Sequence, residues 1–276
     1  MSRIEYDPVK DKFSAIVRRS KLLRRIFYFL LDLFFLRSWH IRRLIKQYGR
    51  VKDKKGEWSL LDAGSGFGQY DRYILSSFKN VTIDAIDVKE DYLEDCRAYF
   101  KKEIGEGRIS FYSADLLEFN PDKKFDMIIC IDVLEHIEED VKVMNNLSSA
   151  LKPGGCLIVH SPSHYSEEDG GEEDTFVGEH ARPGYSKEEL SSKLSSVDLK
   201  IDKIHYTYGF FGHKAWVLSV KWPMLWFNKM GLLAAFPLML YYPVILPVSL
   251  LLNVIDMYTA NTRGNGIYAV AIKNSQ

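Results

Sequence analysis

The chain has 276 residues, of which 46% are hydrophobic, and its 37 Lys and Arg side chains balance its 37 Asp and Glu side chains. This length allows one or two domains. The three cysteines, Cys96, Cys130 and Cys156, include no Cys-x-x-Cys pair, which indicates a reducing cytoplasm and no structural metal.

The balanced charge conceals an asymmetry along the chain. Residues 1–56 contain 16 Lys and Arg against 5 Asp and Glu, and the remaining residues carry the matching acidic excess. Such an asymmetry predicts an anionic partner for this N-terminal arm.

A short apolar run lies inside the arm, from Ile26 to Leu36. As a helix it would be about 16 Å long, roughly half the thickness of the hydrocarbon core, so it is too short to span a membrane. Aromatic and aliphatic residues between basic clusters are typical of a helix that lies in the interface of an anionic membrane. The basic flanks are Arg18, Arg19, Lys21, Arg24 and Arg25 before the run, and Arg37, Arg42 and Arg43 after it.

A glycine-rich segment follows the arm, beginning at Leu60 and reading Leu-Leu-Asp-Ala-Gly-Ser-Gly-Phe-Gly. An apolar strand that runs into three alternate glycines brings bare backbone against a nucleotide-like ligand, because glycine permits the sharp turn and has no Cβ to hold the ligand away. The spacing differs from the dinucleotide pattern Gly-x-Gly-x-x-Gly, because the third glycine comes one residue early.

Strand and helix patterns alternate after the glycines, which predicts a parallel sheet with helices on both faces. Asp87 ends the second strand, where a carboxylate can accept hydrogen bonds from both ribose hydroxyls of a nucleoside. The predicted strands after the first are 81–86, 109–112, 125–131, 156–160, 199–208 and 266–272, and the predicted helices include 69–78, 89–102 and 138–151.

Two local patterns lie between the fifth and sixth strands. The acidic run 167–174 lacks the regular alternation of a calcium site, so a solvated loop is expected there. Ser186 and Glu189 form the pattern of a capping box, which predicts that a helix starts at this point.

An apolar insertion separates the last two strands. No charged side chain occurs from Met230 to Ile255. Two membrane crossings would need about 40 residues, more than we expect to be available, and Pro237, Pro243 and Pro247 should interrupt a continuous helix. We therefore expect an in-plane or shallow re-entrant helical hairpin.

The whole series of motifs resembles the class I S-adenosylmethionine-dependent methyltransferases, especially their small-molecule group. The resemblance rests on the glycine segment, on Asp87, on Leu134-Glu135-His136-Ile137 after strand four, and on Leu-Lys-Pro-Gly-Gly at 151–155. It covers about residues 58–209 and the closing strand, and neither end of the chain.

The resemblance implies an α/β fold, a Rossmann-like seven-stranded sheet with helices on both faces and an antiparallel strand seven. The expected organisation is a basic amphipathic arm at 1–56, a methyltransferase core at 57–209, an apolar helical insertion at 210–263 and a closing strand at 264–276.

The resemblance also implies an S-adenosylmethionine site. Gly64, Ser65, Gly66 and Gly68 would approach its methionine and ribose portions. Asp62 would orient the loop or bind the amino group, Asp87 would bind the ribose hydroxyls, and Asp115 would accept from the adenine amine. Asp132 would border both cofactor and substrate.

Catalytic and substrate residues are predicted from their positions after strand ends, where open α/β sheets place their ligands. His136 and His180 are candidate general bases, since a histidine can take a proton from a hydroxyl or amine near neutral pH. His136 could instead brace its loop. Arg182 and Tyr185 could hold an anionic or aromatic group of the substrate, or could anchor their loop.

We therefore expect a methyltransferase on the cytoplasmic face of a membrane, with an oxygen of a lipid or other lipophilic molecule as acceptor. Two alternatives remain open: a soluble polar acceptor, with the apolar segments as lid or dimer interface, and a non-catalytic cofactor-binding scaffold. Nucleic acid is not expected, because Ile131-Asp132-Val133-Leu134 replaces the Pro-Pro-Tyr segment associated with nucleobase methylation.

Overall fold

The computed structural model describes residues 20–166 and 181–275. Seven strands form one sheet. Their bounds are β1 Trp58–Ala63, β2 Val81–Asp87, β3 Ile109–Ser113, β4 Phe125–Ile131, β5 Leu151–Pro162, β6 Leu199–Thr207 and β7 Gly266–Lys273. The predicted strand series is confirmed. The Leu-Lys-Pro-Gly-Gly segment begins β5 rather than preceding it.

The strand order in the sheet is β3-β2-β1-β4-β5-β7-β6. The first five strands of this order pair in parallel, whereas β7 pairs antiparallel with β5 on one side and with β6 on the other. This topology confirms the predicted α/β fold, and it brings the carboxyl ends of β1, β2, β4 and β5 to one edge, where ligands of such sheets bind.

Helices surround the sheet. Those outside the apolar insertion are α1 Lys21–Phe34, α2 Leu36–Asp53, α3 Gln69–Ser77, α4 Glu90–Tyr99, α5 Lys101–Gly105, α6 Asp140–Ala150 and α7 Lys187–Ser195. The predicted helix 89–102 is divided at Phe100, whose backbone leaves the helical region. Ser186 accepts a hydrogen bond from the backbone of Glu189, so the predicted cap of α7 is confirmed.

The arm belongs partly to the core of the protein. Ile41, Leu44 and Ile45 of α2 are buried against the sheet face that carries Leu60 and Ile158. Helix α2, which lies within the predicted arm, therefore covers one face of the sheet as a core helix.

Helix α1 faces the core with its polar side. Arg24 and Tyr28 are its buried residues, whereas Leu22, Ile26 and Phe29 are exposed. A helix that packs only by the hydrophobic effect would have the opposite orientation. The break before α2 lies at Phe35, inside the single helix predicted over 26–36.

The insertion is a helical hairpin. Its first limb consists of α8 Phe210–Trp216, a π-helical segment Val217–Lys221 and α9 Trp222–Met230, and its second limb is α10 Ala235–Tyr258. A 3₁₀ turn at Gly231–Ala234 joins them. The hydroxyls of Tyr241 and Tyr242 on the second limb donate to the carbonyls of Leu218 and Ser219 on the first.

Two details of the hairpin differ from the prediction. Pro243 and Pro247 lie inside α10 without ending it, although each proline removes one backbone hydrogen bond. Each limb is also about 30 Å long or more at the helical rise, so the number of residues does not exclude a crossing. Within the described residues, the continuous run Phe210–Tyr258 is long and apolar enough to cross a membrane by length and composition.

Candidate functional site

Hydrogen bonds to strand β2 hold the glycine loop between β1 and α3. The amides of Gly64 and Ser65 both donate to the carbonyl of Ile86, at 2.9 Å. The amide of Gly66 donates to Asp87 Oδ2, also at 2.9 Å. Gly66 has a φ of 51° and nothing within 4 Å of where a Cβ would lie, so bare backbone faces open space. The backbone at Gly66 is therefore accessible to a ligand.

Two buried carboxyl groups lie next to this loop, on Asp62 of β1 and Asp71 of α3. Burial, together with the charges of Asp71 and Asp87, raises the pKa of Asp62 well above its usual range. Burial raises the pKa of Asp71 to about 7. The two carboxyl groups interact with each other, and no other described residue forms a hydrogen bond with Asp62 Oδ2 or with either carboxyl oxygen of Asp71. This carboxyl pair can therefore accept a cationic donor.

The other predicted acidic contacts have partial partners. Asp87 Oδ1 accepts from the amide of Lys89, and Asp115 Oδ1 accepts from the amide of Leu117, each at 2.9 Å. A carboxylate oxygen can accept more than one hydrogen bond, so these contacts leave acceptor capacity on both side chains. Asp115 is exposed at the end of β3.

Asp132 lies at the end of β4 with a φ of 53°, in the left-handed region. Its two oxygens contact different residues: Oδ1 is 2.6 Å from His160 Nδ1, and Oδ2 forms an ion pair with Arg37 of α2. His160 is buried, and burial, with the charge of Arg37, lowers its pKa well below the usual range. Arg37 Nε is buried without a hydrogen-bond partner among the described residues. This trio places one arm residue at the ligand edge of the sheet.

The two histidines predicted as bases have different outcomes. His136 ends a short 3₁₀ helix, Leu134–His136, and is half-buried beside the ligand edge. His180 lies outside the described residues. Their catalytic roles stay predictions.

The predicted substrate residues Arg182 and Tyr185 are used by the fold. Tyr185 is fully buried, and its hydroxyl donates to Asp140 Oδ2 at 2.7 Å. Arg182 forms an ion pair with the same oxygen, at 2.7 Å, and donates to the carbonyls of Ile137 and Glu138. These contacts fit the loop-anchoring alternative, because both side chains hold their loop to the start of α6. A substrate contact by either residue stays a prediction.

The arm supplies contacts that the sequence did not predict. Arg24 Nη2 donates to the carbonyl of Phe67, at 2.8 Å, inside the glycine loop, and the hydroxyl of Tyr28 donates to the same oxygen. Arg24 Nη1 also donates to the carbonyl of Asp95 on α4, at 2.7 Å. The spacing of four residues between Arg24 and Tyr28 was the available signal, because it places both on one face of α1.

Comparison with known proteins finds relatives for part of the core. Residues 61–157 match the family described as methyltransferase domain. A malonyl-[acyl-carrier protein] O-methyltransferase of Ilyobacter polytropus is 28% identical over 109 residues, which are 39% of this chain and 40% of that protein. A ubiquinone biosynthesis O-methyltransferase of Rickettsia conorii is 30% identical over 123 residues, which are 45% of this chain and 41% of that protein.

Solved structures extend the similarity in fold beyond the matched segment. The crystal structure of an S-adenosylmethionine-dependent methyltransferase from Clostridium acetobutylicum superposes with a TM-score of 0.58 at 15% identity, covering 91% of this chain and 99% of that one. The chain nevertheless spans only about two fifths of the length of the two curated relatives named above. The segment that matches the family, residues 61–157, contains the glycine loop and ends within β5.

Proposed function

We propose that the core of this chain is a class I S-adenosylmethionine-dependent methyltransferase domain and that the protein transfers a methyl group to an oxygen of a lipophilic acceptor at a membrane surface. The names of both curated relatives specify O-methyltransferases, which supports oxygen as the attacked atom. The observation that carries the membrane part is the outward orientation of the apolar side chains on α1 and on the hairpin.

The residues around the glycine loop fit the cofactor. When bound, S-adenosylmethionine supplies a methyl group already activated on a positively charged sulfur. The buried oxygens of Asp62 and Asp71 suit its ammonium group, since that group is a donor and these acceptors have no partner among the described residues other than each other. Asp87 would accept from the ribose hydroxyls, and Asp115 from the adenine amine.

The protein's own part is positioning and exclusion of water, because transfer from an activated donor does not require a strong acid. Asp132, fixed between His160 and Arg37, borders the place where an acceptor would lie. His160 fills a positioning role, since its Nδ1 faces Asp132 and its ring is buried. His136 remains the candidate that could take the proton of the acceptor hydroxyl.

Support for a membrane comes from two apolar surfaces. At the hairpin tip and along α10, Leu232 is 83% exposed and Leu240 is 80% exposed. On α1, Leu22 is 64% exposed and Phe29 is 59% exposed. The ring of Phe34, at the end of α1, packs against Tyr242 of the hairpin, so the two surfaces belong to neighbouring elements. Exposed apolar area of this extent marks an interaction surface.

The lysines of the first limb favour a hairpin that lies at the surface over one that crosses. Lys214, Lys221 and Lys229 are spaced along the whole limb. Their ammonium groups would be costly at the centre of a bilayer and are accommodated at the level of the headgroups.

Flotation with vesicles and cofactor titration test this proposal together. The wild type should float with vesicles that contain phosphatidylglycerol and should bind S-adenosylmethionine. Leu232→Glu/Leu240→Glu should lose flotation and keep cofactor binding. The control Val51→Glu/Val141→Glu, which changes exposed apolar residues elsewhere, should behave as the wild type.

Each contrary outcome identifies a different error. A wild type that stays in solution as a dimer, dissociated by the hairpin variant, would replace the membrane with a dimer interface. Cofactor binding without methylation of any acceptor in lipid extracts would favour the scaffold. Absence of cofactor binding would contradict the proposed activity itself.

A further inference from the structure

A cavity of about 310 Å³ lies between α2, the strand pair β6 and β7, and the C-terminal end of α10. Helix α2 contributes His40, Arg43 and Gln47, and β6 contributes Lys203 and His205. Tyr258 closes the side that meets the hairpin. No part of the proposed methyl-transfer site described above lines it.

The cavity is positively charged. Its described lining includes Arg43 and Lys203 but no Asp or Glu. Lys203 Nζ donates to Gln47 Oε1 at 2.9 Å, and the Arg43 guanidinium lies 5.1 Å from the centre of the Tyr258 ring. Neither cation forms an ion pair with a described acidic side chain; Asp202, next to Lys203 in sequence, accepts instead from the hydroxyl of Tyr48.

One helix end opposes this charge. The carbonyl of Met257, in the last turn of α10, lies 3.4 Å from Arg43 Nη1. A helix C-terminus carries about half an elementary negative charge, so two full positive charges outweigh it. The net field inside the cavity therefore favours an anion.

His40 adds a buried polar atom to the wall. The residue is 3% exposed, and its Nε2 has no hydrogen-bond partner among the described residues. Its ring lies 5.9 Å from that of His205 and 5.6 Å from that of Tyr268, which also lines the cavity. Burial lowers the pKa of His40 to about 3, so the ring is neutral at physiological pH and can offer one N–H group.

We propose that this cavity binds a phosphate group, held by the charges of Arg43 and Lys203 and by a hydrogen bond from His40. A phosphate oxygen accepts from guanidinium, ammonium and imidazole N–H groups alike, whereas a chloride ion gains less from several divergent donors. This site goes beyond the proposed methyl transfer and does not depend on it.

The neighbourhood of the cavity admits two sources of phosphate. Tyr258 is 76% exposed at the foot of α10, and the exposed side chains of Leu251, Val248 and Val244 continue along the same helix. A phospholipid headgroup in the cavity could thus place its acyl chains beside an apolar stripe. A soluble phosphate ester would use the cavity alone.

Calorimetry on the full chain in an uncharged detergent tests the site with inorganic phosphate, at constant ionic strength. Arg43→Gln/Lys203→Gln should weaken phosphate binding at least about tenfold, since each charge-assisted hydrogen bond contributes on the order of one such factor. Arg50→Gln/Lys200→Gln is the matched control, because it removes the same charges from exposed positions on the same helix and strand.

Vesicles distinguish the two sources. Binding to phosphatidylcholine vesicles that contain phosphatidic acid, reduced in the cavity variant but not in the control, would identify a lipid headgroup. Binding of inorganic phosphate with equal vesicle binding by both variants would identify a soluble phosphate. The proposal is overturned if wild-type protein binds neither probe, or if both variants lose binding equally. Cofactor titration of the same samples reports separately on the methyltransferase site.

Discussion

Arg24 Nη2 donates a hydrogen bond of 2.8 Å to the carbonyl oxygen of Phe67, and this contact fastens helix α1 to the glycine loop. The loop is also bound from the opposite side by Asp87, through the amide of Gly66. Helix α1 and the proposed cofactor site are therefore in direct contact.

Replacing Arg24 should loosen the cofactor loop. We expect Arg24→Leu to lower the free energy of unfolding by about 3 kcal/mol, because the partly buried carbonyls of Phe67 and Asp95 lose a charged donor. Chemical denaturation and cofactor titration measure the two effects. Arg25→Leu, at the neighbouring exposed position, should change neither; equal effects of both variants would refute the role of the contact.

Gly66 should be required for the ligand rather than for the fold. We expect Gly66→Val to abolish cofactor binding because its side chain would enter the open space above the loop. Gly107→Val is a matched control, since Gly107 also has a positive φ, 69°, and open space around its Cβ position. Both should lose about 1–2 kcal/mol of stability from backbone strain. Retained cofactor binding by Gly66→Val would place the ligand elsewhere.

Asp71 should make the ligand-free protein less stable as the pH rises. Its pKa is raised from an ordinary 3.8 to about 7, so the folded state holds the proton more tightly than the unfolded state. The folded state therefore loses stability as pH rises from about 4 to about 7, and the loss persists above that range. Asp71→Asn should raise the melting temperature at pH 8 and change it little at pH 4.

The exposed Asp122 provides the control for this effect. Asp122→Asn should leave the pH profile of thermal unfolding as it is in the wild type. A pH 8 melting temperature that does not rise in Asp71→Asn would show that the buried carboxyl is stabilised by a contact other than those described here.

Arg37 should affect turnover more than cofactor affinity. Arg37→Gln removes the ion pair that fixes one oxygen of Asp132. Misplacement of that carboxylate should lower kcat at least about tenfold, since catalysis by positioning is sensitive to small displacements. Arg42→Gln breaks the other arm ion pair, to Asp32, and should leave kcat within about twofold. Equal loss in both variants would indicate a general effect of the arm.

Replacing Tyr185 distinguishes its two candidate roles, which are loop anchoring and substrate contact. We expect Tyr185→Phe to lower stability by about 1 kcal/mol, because Asp140 loses one hydrogen bond but keeps Arg182 and Lys193. The KM for the acceptor should not change. An increased KM with unchanged thermal stability would restore the substrate contact.

The core was predictable because its signals are local. Each of the strands β1 to β4 is a short, largely apolar run followed by an acidic or glycine-rich turn. Asp62, Gly66 and Asp87 lie at such ends, so the sequence alone predicted that they gather at one edge. The capping pattern of Ser186 was equally local. No long-range contact had to be known for these predictions.

The residues that were missed act across the chain. Arg24 meets Phe67 and Arg37 meets Asp132 only after α1 and α2 have packed on the sheet. In the sequence both arginines belong to basic flanks, whose usual explanation is an exposed surface. Asp71 is also an ordinary first-turn acid of α3 in the sequence, and only its burial beside Asp62 distinguishes it.

The hairpin separates two strands that must later become partners. Among the described strands, β6 pairs only with β7, and β7 follows the whole hairpin in the sequence. Closing this loop carries an entropy cost before any pairing compensates it, which makes the step slow relative to local folding. Until β7 pairs with β5 and β6, both of these strands have unpaired edges. A surface that holds the two limbs together would shorten the distance that the chain must search before β6 and β7 pair. If the proposed membrane surface is the partner of the hairpin, it would therefore speed this folding step as well.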